Sequence, residues 1–270
     1  LACDGPKDVT AHVTAEAQEN AVVFSYTGEA DGVLDLYIVE YNLSQATAAA
    51  IWSPFCEKEF VLGYLDTGME EAVKAFIEST HERYRKAVGE EFGKTVKGVF
   101  TDEVTICLPM VGADVSDTVP WTRNLGRAFG EMHGYEIDRA IPDLFSDGDG
   151  STKRHRRDYW TALAALFTRN YMKQTADWCR KNSLEYTGHF GGEEVLFWHL
   201  VETGDIYDAL SYFTMPGCDS ILSKEYVNHY NFNIAAKLVS SAAYFQGKTR
   251  VLCETYSGSG ADCTLQDMKR

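Results

Sequence analysis

From about residue 60 onward, short β-type runs alternate with stretches of helical periodicity. Phe60–Leu65, Thr95–Phe100, Leu184–Thr187, Asp219–Leu222 and Arg250–Cys253 read as strands, being short, apolar and bounded by turn residues. Between them, Ala72, Phe76, Ile77, Tyr84 and Val88 recur at helical spacing, behind a capping box from Thr67 to Glu70. Further helices are expected over Thr122–His133, closed by Gly134, over about Lys153–Lys181, through Val201, and over Asn233–Phe245. Strictly alternating strands and helices call for a parallel sheet with right-handed crossovers. The expected fold class is α/β, a (β/α)8 TIM-type barrel only partly covered by this chain. A doubly wound sheet would want a phosphate-binding glycine fingerprint after its first strand, and Leu62–Gly68 is not one.

The first 58 residues read differently. Ala21–Tyr26 and Leu34–Tyr41 are strand-like, and Gly28–Gly32 between them is turn chemistry. We expect a small antiparallel β segment over 1–58 and a partial barrel catalytic domain over 59–270. The chain begins Leu1-Ala-Cys3, and Thr264–Arg270 reads as the first turns of an unfinished helix. The remainder of a larger polypeptide is therefore expected.

Acids recur at one topological place. Asp102 and Glu103 end one expected strand, Glu193 and Glu194 follow the next, Asp219 opens the fourth, and Glu254 ends the fifth. In a barrel all these strand ends share one face. A lone acid there would read as a helix cap; four in succession read as an acid-lined active site. The stretch Glu185–Glu194 is the densest, with His189 ahead of two glycines and two glutamates. Paired carboxylates across a cleft suit glycosidic cleavage, one protonating the leaving oxygen and the other activating water or attacking carbon. Trp121, Phe190, Trp198 and Tyr256 are candidate sugar-stacking aromatics. His189 reads as a substrate-binding group and His199, inside an apolar run, as a core residue. Hard oxygen ligands abound, so a bound Ca2+ fits the composition. No nucleophile elbow exists, since Gly258-Ser-Gly260 lacks the Gly-x-Ser-x-Gly spacing.

Forty acids against 25 bases give a net charge of −15, which argues against nucleic acid and against an anionic membrane surface. No apolar run approaches the ~18 residues of a membrane span, and no signal peptide is visible. The seven cysteines (Cys3, Cys56, Cys107, Cys179, Cys218, Cys253 and Cys263) are odd in number and never in CxxC spacing. They read as reduced thiols, which favours a cytoplasmic location.

Several segments together carry a resemblance. They are Phe76–Tyr84, Phe92–Thr95, Val99–Glu103, Thr187–Glu194, Met215–Asp219, Ala235–Ala243 and Cys253–Gly260. In this order they resemble the catalytic module of large bacterial glycoside hydrolases of the α-L-rhamnosidase type, family 106, over residues 60–270. The resemblance implies a (β/α)8-type barrel that hydrolyses a terminal deoxysugar with inversion, often with Ca2+ nearby. It matches Glu103, Glu194 and Glu254 to the family's strand-end glutamates, with Glu194 or Glu103 as the acid and Glu254 as the base. Asp102, Trp121, His189, Glu193, Asp219 and Tyr256 are then expected to bind the sugar. The chain departs from the family at Val104 and Cys253, where Pro and Ser are usual. Two other functions suit the same residues: a metal-dependent sugar isomerase or lyase using His189, and a non-catalytic carbohydrate-binding module.

Overall fold

Four parallel strands form the sheet on which the acids stand. In chain order they are β6 (Gly98–Asp102), β7 (Glu185–His189), β8 (Met215–Ser220) and β9 (Leu252–Thr255), and they pair as sequential neighbours. The computed structural model describes residues 2–4, 7–19, 21–29, 34–36, 64–106, 119–145, 150–193, 195–220, 234–255 and 264–268. Among these residues the sheet is open; it does not close into a barrel. The expected first strand, Phe60–Leu65, lies mostly outside them, and Tyr64 and Leu65 form no strand.

Helices make the crossovers that parallel pairing requires. The chain reaches β6 through α1 (Glu70–Ser79) and α2 (His81–Val88). Between β6 and β7 come α3 (Leu125–His133), the short α4 (Ile141–Phe145), α5 (Thr152–Phe167) and α6 (Lys173–Lys181). Then α7 (Leu196–Thr203) and α8 (Ile206–Ser211) precede β8, and α9 (Ile234–Phe245) precedes β9. The short α10 (Leu265–Met268) stands at the end of the chain, where a helix was expected.

Several local expectations are corrected. The capping box does not form: the Thr67 hydroxyl donates instead to the buried Thr105 carbonyl at 3.1 Å, and Met69 holds the cap position without a side-chain bond. The helix expected from there to Gly89 is broken at Thr80, which separates α1 from α2. The long helix over 153–181 is continuous, but it passes through a π-turn at Thr168–Met172, with the Thr168 hydroxyl bonded to the Ala164 carbonyl at 3.0 Å. Helix α8 was not expected from sequence, although Ile206, Ala209, Leu210 and Phe213 fall at helical spacing; Asp205 caps it, accepting from the Tyr207 and Asp208 amides. Asp219 does not open a strand. The ladder already includes Met215-Pro-Gly, so Asp219 is next to last in β8.

The N-terminal strands pair otherwise than expected. Strand β4 (Ala21–Tyr26) pairs antiparallel with β3 (Val13–Gln18) across a short turn. Strand β5 (Leu34–Leu36) pairs with β1 (Ala2–Asp4), which also pairs with β2 (Lys7–Asp8). Val13, Ala15 and Ala17 alternate with polar residues over 13–18, but two of the three are alanines, a weak strand signal, and no strand was expected there. Residues 13–18 form a strand because the adjacent run can close a six-rung ladder on them.

The main core fills the space between the sheet and its helices. Phe167, Met172, Tyr186, Phe190, Leu210 and Phe213 are essentially inaccessible there, alongside Val73 of α1 and Val239 of α9. Burying each large apolar side chain contributes about 1.5–3 kcal/mol. A second cluster, around Leu125, Phe129, Tyr159 and Leu166, joins α3 to α5. Along β6, alternation divides the faces: Val99 packs towards the core and Thr101 bonds the Tyr186 hydroxyl at 3.3 Å, while Phe100 and Asp102 point the other way and are exposed.

Candidate active site at the strand ends

The strand ends converge on His189. Its Nε2 lies 3.0 Å from Glu254 Oε2 and 3.5 Å from Asp102 Oδ1. Asp102 stands beside it by register, as the β6–β7 ladder pairs the two residues directly. Glu254 is two strands away, so its bond needs a different account. Continuing the β7–β8 register by one residue sets Gly217 level with His189. Gly217 has no side chain to block the path, and the imidazole reaches Glu254 across it. A Cβ on Gly217 would collide with the Gly188 carbonyl. Gly188 is held equally close: its φ is +153°, and a side chain there would strike the Thr101 backbone. Two glycines thus let three strands approach where the polar groups meet.

The burial of the three groups is graded. The His189 side chain is 2% exposed, that of Glu254 42% and that of Asp102 72%. The ring is therefore fixed from below, and the carboxylates face solvent. Phe100 supports the imidazole edge-on, with centroids 5.4 Å apart, and is itself exposed. Glu103 follows Asp102 at φ +47°, a conformation that non-glycine residues adopt at a cost of order 1 kcal/mol. Its amide donates to the His189 carbonyl at 3.2 Å, which holds this turn against β7.

Glu193 is fully buried, and its Oε1 accepts from the Phe190 amide at 2.9 Å. It closes the loop after β7 on itself, which makes it a group that shapes the loop. His199 holds the same loop from α7, with Nε2 2.7 Å from the Glu193 carbonyl. His199 is buried, as a core histidine should be. Phe190 has no exposed surface and belongs to the core, so it offers no platform for a sugar. Trp198 is partly exposed, with its Cβ against Gly192. Trp121 packs on the α3–α5 core and lines a small cavity with Asp66, Thr122 and Phe167. Asp219 pairs in register with Glu254 on β9, which places both acids in one row. Glu194 and Tyr256 lie outside the described residues.

Two residues near the site were not singled out from sequence. Phe100 is one; its alternation with Asp102 on a single strand face could have marked it. The other is Glu202, whose carboxyl lies beneath Gly191, its Oε1 3.3 Å from where a side chain there would begin. It is 5% exposed, and burial, with the Glu103 charge adding to it, pushes its pKa up to about 7. Thr105 ties it down, donating its hydroxyl to the Glu202 carbonyl at 3.1 Å. Tyr64 packs here too, accepting from the Thr105 amide at 3.4 Å, and burial raises its phenol. No local signal could have found Glu202, since a Glu near a helix end is ordinarily solvated.

Asp102, Glu103 and His189 offer ligand atoms within 4.8 Å of one another, the one such group among the described residues. Two carboxylates and an imidazole suit a divalent cation of mixed nitrogen and oxygen preference. Ca2+ takes six to eight oxygens, and these three residues do not by themselves make its cage. A concavity of about 490 Å3 lies elsewhere, between α7, α8 and α9 around Leu196, Tyr207, Ile234 and Leu238. Its lining carries one acid, Asp205, and no acid pair.

No protein-family model matches the chain. It is similar to a Formosa agariphila protein named "Putative beta-glucuronidase", with 24% identity over 204 residues, covering 73% of this chain and 15% of that protein. Among solved structures it is similar to a rhamnosidase from Novosphingobium sp. PP1Y, with a TM-score of 0.56 and 22% identity, over 72% of this chain and 18% of that one. The chain thus spans less than a fifth of the length of either relative, and both carry glycosidase names.

Proposed function

We propose that this chain carries part of the catalytic face of a glycoside hydrolase acting on a terminal deoxysugar of the α-L-rhamnoside type. The observation that carries the reading is the meeting of Glu254, His189 and Asp102 at the carboxyl ends of parallel strands, beside Glu103. The glycosidase names of both relatives support it. In this reading the four strands are an arc of a (β/α)8 barrel, whose active sites lie on that face.

Glu254 serves as the ionised base. Its Oε2 shares a hydrogen bond with the His189 imidazole, which orients the carboxylate and leaves the other oxygen for a water. The acid that protonates the leaving oxygen is Glu103 or Glu194. An inverting pair would stand about 6.5–9.5 Å apart and a retaining pair about 5–5.5 Å. Asp102 and Asp219 hold sugar hydroxyls, and exposed Phe100 offers the ring a stacking surface. Turnover of an aryl α-L-rhamnoside, with an aryl β-glucuronide as comparison, tests the substrate class. Nuclear magnetic resonance of the first-formed anomer tests inversion. Full activity in both Glu254→Gln and Glu103→Gln would overturn the mechanism.

A second reading, a metal-dependent sugar isomerase or lyase, is favoured by the compact Asp102–Glu103–His189 donor group. It predicts an isomerised or unsaturated sugar with no water added, and product analysis separates the two.

A further inference from the structure

Strands β8 and β9 bring two cysteines together that lie 35 positions apart in the chain. The ladder pairs Cys218 directly with Cys253, and their Sγ atoms are 3.7 Å apart. Both are free thiols, Cys218 buried and Cys253 exposed. Neighbouring strands run about 4.8 Å apart, within the ~4.4–6.8 Å between Cα atoms that a disulfide spans. A sulfur–sulfur bond of about 2.0 Å therefore needs only rotation of the side chains and a small shift of one strand. The pair sits one residue before Asp219 and Glu254, which form the next rung of the ladder.

We propose that Cys218 and Cys253 are a redox pair that closes a cross-strand disulfide when the protein meets a peroxide or a low-molecular-weight disulfide. With peroxide, the exposed Cys253 thiolate attacks one oxygen and releases hydroxide, which leaves a sulfenic acid. The Cys218 thiolate then attacks that sulfur, the S–S bond forms and the S–O bond breaks, releasing a second hydroxide. Overall two thiols and one peroxide give one disulfide and two waters, the sulfurs being oxidised and the peroxide reduced. Burial, with neighbouring acids adding to it, holds both thiols above the usual cysteine range. Entry is therefore slow at neutral pH. The bond fastens the two strands that carry Asp219 and Glu254. The inference rests on strand register and is independent of the reaction that the site performs.

The test is thiol mapping. The folded chain is held in glutathione buffers of graded redox poise, or treated with hydrogen peroxide, then alkylated, digested without reduction and analysed by mass spectrometry. The expected result is a peptide pair joined through Cys218 and Cys253, the loss of two alkylatable thiols out of seven, and recovery of both with dithiothreitol. Cys218→Ser and Cys253→Ser should each abolish that peptide pair. Seven alkylatable thiols remaining at an oxidising poise would overturn the proposal. So would a dominant cross-link between either residue and another cysteine, or glutathione trapped on Cys253 alone.

Discussion

Two carboxyl-bearing regions adjoin the Asp102–Glu103 turn, and they differ above all in their exposure to water. On one side, Glu254 and Asp102 meet His189 with their carboxylates open to water. On the other, Glu202 lies beneath Gly191 with Thr105 and Tyr64, almost wholly buried. Each region pairs an acid with a polar partner. The open one has solvent to support its charge and an imidazole to orient it. In the closed one, desolvation sets the proton affinity, and Glu202 holds its proton up to about pH 7.

The largest expected effect attacks the open region. Glu254→Gln keeps the shape but removes the charge that His189 faces, and in the proposed glycosidase should lower kcat by roughly 10²–10⁴-fold. Steady-state turnover on an aryl rhamnoside, alongside circular dichroism to verify the fold, measures it. An effect under threefold would remove Glu254 from the chemistry.

Gly217→Ala breaks the bridge without touching either charge. The added methyl collides with the Gly188 carbonyl, so β7 and β8 must part. We expect a loss of about 3 kcal/mol or more in urea unfolding. A loss below 1 kcal/mol would mean that the strands can separate freely, and the account of the His189–Glu254 contact would fail.

Glu202→Gln addresses the closed region. A carboxyl raised from 4.5 to about 7 by folding binds more protons in the native state than in the unfolded one. Its stability contribution is complete below pH 4.5 and is lost as the pH rises through about 7. The loss is about 3 kcal/mol at most, taken from the size of that shift. Glutamine does not titrate, so the variant should gain on the parent protein between pH 5 and pH 8. Parallel stability curves for the two proteins over that range would show that Glu202 is not desolvated.

The smallest effect should come from Asp102→Asn. Its side chain is 72% exposed and 3.5 Å from His189, a long and solvent-screened contact. We expect less than a tenfold change in turnover and no measurable change in stability. A loss as large as that of Glu254→Gln would make Asp102 an equal partner and redraw the open region.

Much of this architecture was legible from residue types and spacing. Alternating strands and helices predicted the parallel pairing of β6, β7, β8 and β9. The strand-end positions of Asp102 and Glu254 followed, because a turn or strand end can be read from a few neighbouring residues. Strand limits were harder. The expected strand began at Asp219, yet Pro216 and Gly217 already belong to β8, because pairing with β7 and β9 outweighs local propensity. Strand β3 was missed because alanines carry much of its alternation, and its ladder with β4 makes it a strand.

The chain by itself determined the order of the four parallel strands and which acids would stand near their ends, since both depend on patterns within a few residues. The tertiary structure alone decided three things. It joined His189 to Glu254 over the space left by Gly217, set Cys218 opposite Cys253, and sealed Glu202 away from water. Each depends on register or burial between segments distant in the chain, and no local pattern of side chains encodes which residue will lie level with which across a neighbouring strand.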